Sequence, residues 1–144
     1  MMKDDAEPRL VYTDDAQIES LVRGFESCSV EGFNHGAHLA VALWYLARFS
    51  EAEAPERMRA SLRRFAAHRN VNLYHETLTV FWLKVVRGFL AREGRGTPLC
   101  ETANRLIRAH ADARLALKYF SEQLLSSGEA KASWVEPDLQ PLDF

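Results

Sequence analysis

From Leu73 to Leu90 the chain reads LYHETLTVFWLKVVRGFL, and wound as a helix this run is apolar on almost every side. Tyr74, His75, Leu78, Phe81, Trp82, Val85 and Phe89 cover one broad face, and Val80 and Leu83 extend it. A helix with so little polar surface belongs in the middle of a domain, with other helices wrapped around it. The rest of the chain supplies those helices. Glycine and proline number only seven and five in 144 residues, and apolar residues recur at spacings of three and four. The expectation is an all-α fold: a single-domain bundle of about five to six helices over residues 1–144, with an extended C-terminal tail.

Local signals place the boundaries. Residues 1–12 read as a loose tail. Thr13 then caps a first helix whose buried stripe is Ile18, Leu21, Val22 and Phe25. Asn34 caps a second helix running to about Phe49. Pro55 opens a third in its first turn, and Asn70 closes it in a left-handed conformation. The central helix is expected to begin near Asn72 or Leu73 and to stop at Gly94. Thr97 and Pro98 are cap and first residue of a fifth, and Asp112 caps the segment ARLALKYF. Residues 128–144, GEAKASWVEPDLQPLDF, have room for one helical turn before an extended tail, which Trp134 and Leu139 are expected to dock on the body.

Charge argues against two classes of partner. A net charge of -2 gives no general attraction to nucleic acid or to an anionic membrane. No apolar run is long enough to span a bilayer, and the opening MMKDDAEPRL carries no secretion signal. Cys28 and Cys100 lack metal-type spacing and are expected to be free thiols. These features fit a cytoplasmic, bacterial-type enzyme or binding protein. Arg57, Arg59, Arg63, Arg64 and Arg69 on the third helix stand opposite the apolar stripe of Met58, Leu62 and Phe65, so they read as a solvated face. Phe89 and Leu90 read as apolar surface, which allows a homodimer.

The five histidines are less ordinary. With short connections the helices alternate in direction, so the second and fourth are parallel and start at the same pole. That brings His35 and His38 beside His75 and Glu76, and the fifth helix returns His110 and Asp112 to the same end. His68 lies there too. Histidines at helix C-termini are favoured by the helix dipole, which accounts for His68 and His110. Those at N-termini are opposed by it and should stay neutral near pH 7, the state required for metal ligation or base catalysis.

His35 and His38 are three apart and share a helical face. The most economical site therefore has His35, His38 and His75 as ligands of a divalent metal, with zinc, iron and copper equally suited. Glu76 is then a fourth ligand or a base acting through water, since adjacent helical residues point about 100° apart. Tyr45, Trp44, Tyr74 and Trp82 are expected to wall a pocket for a small molecule. Two other arrangements use the same residues. In one, His75 and Glu76 form a metal-free polar pocket; in the other, they cap helices and pair with His35 or Arg64.

Three motif comparisons bear on chemistry. HETLT has the first half of the zinc-protease helix HExxH, but Thr79 stands where the second histidine belongs. The order His35, His75-Glu76, Asp112 is similar to the His…His-Asp…Asp series of the HD-domain phosphohydrolases, all-α metal enzymes, with Glu76 in place of Asp. The chain more fully resembles a group of small bacterial proteins without an established activity. Their pattern is FxHxxHLxxAxxYL, YHETxT and WVEPDL, here Phe33 to Leu46, Tyr74 to Thr79 and Trp134 to Leu139. The resemblance spans most of the chain and implies that His35, His38, His75 and Glu76 share one site, with the terminal tail over it.

Overall fold

The structure, a computed structural model, describes residues 11–70, 73–94 and 96–144. It is all-helical. In chain order the elements are α1 (Asp15–Glu26), α2 (His35–Arg48), α3 (Glu53–His68), α4 (Glu76–Glu93) and α5 (Leu99–Ala109). A 3-10 turn (Leu115–Lys118) and two short helices, α6 (Glu122–Leu125) and α7 (Gly128–Ala132), complete it. No strand forms among the described residues.

Side chains decide where these helices start. Asp14, one residue after the expected Thr13, accepts the Gln17 N–H and caps α1. Asn34 accepts the Ala37 N–H and caps α2 as expected. Asn70 turns left-handed after α3, with φ 58. The start of α5 depends on a distant residue: Pro98 precedes the helix, and Asp15 at the head of α1 accepts the Cys100 N–H at 2.8 Å. Thr97 was the local candidate, but a cap needs only an acceptor in reach, and the packing of α1 on α5 brings one.

Two apolar clusters share α4, which explains its nearly continuous hydrophobicity. The larger cluster is centred on α2, whose Leu39, Val41, Leu43 and Tyr45 are almost completely buried among α1, α3, α4 and α5. Leu83, Val86, Phe89 and Leu90 of α4 point into it. Phe89 and Leu90 are thus core residues, only 7% and 5% exposed, where apolar surface was expected. On the other side of α4, Phe81 and Val85 pack with Ala116, Tyr119 and Phe120, and Trp134 closes this second cluster.

The C-terminal segment is tied down by hydrogen bonds. Thr77 donates its hydroxyl to the Ser133 carbonyl at 2.9 Å and accepts the Val135 N–H at 3.3 Å. Asp138 accepts from both the N–H and the hydroxyl of Ser121, and Tyr119 donates to Asp143. Trp134 anchors the tail as expected, edge-on to Phe120. Leu139 does not: its side chain is exposed, although its N–H donates to the Tyr119 carbonyl. Among the described residues no helix is long and apolar enough to cross a membrane.

Candidate functional site

Between the first half of α2, the second half of α3 and the first half of α4 lies a cavity of about 530 Å³. Its walls include Phe33, Leu39, Met58, Leu62, Phe65, Leu78, Trp82 and Leu83, and its polar lining includes Asn34, His35, His38, Arg69, Tyr74, His75 and Thr79. All three N-terminal histidines therefore border one space, as the parallel arrangement of α2 and α4 predicts. They have three different jobs.

His75 is the N-cap of α4, so the helix begins at Glu76, later than the expected Asn72 or Leu73. Its Nδ1 accepts the Leu78 N–H at 3.1 Å, and its Nε2 lies 2.7 Å from the Leu125 carbonyl oxygen. A carbonyl only accepts, so Nε2 carries the proton and Nδ1 the lone pair. That lone pair is already committed to the backbone, and a metal would have to break the cap to use it. His35 lies edge-on to Trp82 and donates from Nε2 to the His110 carbonyl at 2.9 Å.

His38 is the free member. Its ring packs on Phe33 at 4.4 Å between centroids, and no hydrogen bond engages either of its nitrogens among the described residues. Burial, with a smaller contribution from the charge of His35, pushes its imidazole down to about 4. It is neutral at pH 7 and presents one donor and one acceptor to the cavity.

Glu76 stands outside the cavity lining. Its carboxylate receives Nε–H of Arg59 at 2.9 Å and an Nη2–H at 2.7 Å, and the Tyr74 hydroxyl at 2.5 Å. Burial alone would raise this carboxyl, but the bonds from Arg59 and Tyr74, with the charges of Arg59 and Arg63, hold it below the ordinary carboxylate range. Both carboxylate oxygens are thus engaged in an ion pair that ties α4 to α3. Arg64, the partner considered from sequence, bonds the Glu26 carbonyl instead.

Among the described residues no three or more His, Cys, Asp and Glu side chains are placed to share one metal ion. The HD-like set is likewise not assembled among the described residues, where Asp112 accepts the Arg114 N–H as a turn cap. Of the expected aromatic walls, Tyr74 and Trp82 line the cavity but Tyr45 and Trp44 do not. Tyr45 is buried on another side of α2, donating to Glu26 and sharing a bond with Ser61, and Trp44 packs against it and Phe49.

Comparison with protein-family models, curated proteins and solved structures gives no match. The functional reading rests on geometry. Several lining residues escaped the sequence reading because they look ordinary there. Met58, Leu62 and Phe65 have the spacing of a core stripe, and only the gap opposite them turns that stripe into a wall. Arg69 looks like one more solvated arginine, although its guanidinium lies over Phe65 at 4.6 Å and borders the cavity.

Proposed function

We propose that the protein binds a small, mostly apolar molecule in the cavity between α2, α3 and α4, in a cytoplasmic setting where Cys28 and Cys100 remain thiols. His38 supplies the main hydrogen bond to the ligand's interior polar group, and His35 Nδ1, which bonds no other described residue, a second. The observation that carries this reading is His38 itself: its half-buried ring borders the cavity with no hydrogen-bond partner among the described residues, so it has a donor and an acceptor to offer a ligand. The size of the space supports it, since about 530 Å³ falls within the range of small-molecule sites, ~300–1,000 Å³. Its composition does too, with apolar and aromatic walls and few polar groups. Binding is favoured over acid/base catalysis because an imidazole titrating at about 4 is a weak base at neutral pH.

The test uses fluorescence. Trp82 lines the cavity, so a Trp44→Phe, Trp134→Phe variant confines tryptophan emission to the site. Titration with N-phenyl-1-naphthylamine, a neutral apolar probe, should quench Trp82 and enhance probe emission. Ala42→Phe, which fills the space, should abolish both signals while helical circular dichroism persists. Probe binding that survives Ala42→Phe, or no binding in the parent, would overturn the reading.

A further inference from the structure

The cavity is electrically one-sided. Its lining holds three histidines and one arginine, and no aspartate or glutamate among the described residues. The nearest buried carboxylate, Glu76, is consumed by Arg59, Arg63 and Tyr74. The arginine sits at the rim. Arg69 is exposed at the end of α3, lies over Phe65, and uses one Nη2–H on the Val30 carbonyl at 2.6 Å. Its remaining N–H groups make no hydrogen bond among the described residues. Phe33 and Phe65, 5.2 Å apart, form a continuous aromatic surface from His38 inside to Arg69 outside. Glu31 and His68 share a separate shallow depression on the other side of Arg69.

We propose that the ligand is an amphipathic carboxylate, its apolar body held between α2, α3 and α4 and its carboxylate at the rim on Arg69. This rests on the small-molecule reading above and names its ligand class. A carboxylate is costly to bury and cheap to leave at a wet rim, while the apolar body gains by entering. The guanidinium fork matches carboxylate geometry and is already oriented by Phe65 and Val30, so little side-chain freedom is lost on binding. A cationic ligand would find no counter-charge in the lining and would be repelled by Arg69. A phosphate dianion would meet only one fixed cation.

Three ligands with one body separate the possibilities: 4-phenylbutyrate, 4-phenylbutanol and 4-phenylbutylamine, each displacing N-phenyl-1-naphthylamine from the full chain. The acid should bind about two- to five-fold more tightly than the alcohol, the range of an exposed charge pair, with the amine weakest. Arg69→Gln should erase the preference of acid over alcohol, and Arg69→Lys should keep part of it. Added salt should narrow the gap in the parent only. Equal or tighter binding of the alcohol, or a preference that persists in Arg69→Gln, would overturn the carboxylate class. Failure of all three while the naphthylamine still binds would overturn it as well, and leave the cavity reading intact. Failure of the naphthylamine itself would bring down the cavity reading.

Discussion

Arg59 and Glu76 form a bidentate ion pair that joins the middle of α3 to the first residue of α4. Both side chains are largely buried, at 19% and 12% exposure, so the pair is worth more than a surface contact but short of a fully buried one. Glu76→Gln should therefore destabilise the fold by about 1–3 kcal/mol at pH 7 and leave cavity binding unchanged. The pH dependence has a definite sign. The folded carboxyl lies below its ordinary range, so its contribution is complete above the unfolded value of ~4.3 and fades as pH falls through the lower folded value. Urea titrations of parent and variant should converge on acidification below about pH 4. A variant with parent stability but lost ligand affinity would return Glu76 to the site.

His75 should behave as a cap. His75→Ala removes the acceptor for the Leu78 N–H and the donor to the Leu125 carbonyl, and is expected to cost about 1–2 kcal/mol. Asn is a strong cap, so His75→Asn should recover part of that loss. Elemental analysis after dialysis against zinc, iron or copper should show no difference between parent and His75→Ala. A near-stoichiometric metal lost with unchanged stability would instead make His75 a ligand.

His38 is expected to titrate far below an ordinary histidine. An NMR titration should place its midpoint near 4, against the unfolded value of ~6.5. The unfolded chain then binds the proton first, and stability falls as pH drops from about 6.5 towards 4, by on the order of 2–3 kcal/mol. His38→Gln should flatten that slope. Repulsion from His35 adds to the downward shift, so His35→Gln should raise the His38 midpoint. A midpoint near the ordinary value would show that the ring is hydrated or paired.

The tail should prove structural. Residues 134–144 cover Phe81 and Phe120 and bond Thr77, Tyr119 and Ser121. Trp134→Ala is expected to cost about 2–4 kcal/mol, and deleting 134–144 should cost more, read by urea denaturation. Dye binding to newly exposed apolar surface should accompany the deletion. Unchanged stability in both would show that the second cluster holds without the tail.

Elements with a local cause were legible. Asn34 is a cap because its own side chain reaches the third residue onward, and Asn70 takes the left-handed conformation that asparagine tolerates. The convergence of His35, His38 and His75 on one space followed from short loops and alternating helix directions. Their division of labour did not. His75 caps because Leu125, fifty residues later, arrives to accept its proton, and Glu76 is neutralised by an arginine that looks identical to its neighbours on α3.

The amino-acid sequence by itself determined the all-α architecture, the burial of α4 and the grouping of histidines at one pole, because each follows from periodicity, capping and loop length. Tertiary structure alone decided which lone pairs stay free and where a gap opens. Hydrogen-bond partners and voids depend on which distant side chain arrives first and on sub-ångström fit, and neither leaves a period in the chain. A metal trio and a ligand cavity can be written with the same histidines; what separates them is that His75 spends its lone pair on the Leu78 N–H, while no hydrogen bond from the described residues reaches the His38 ring.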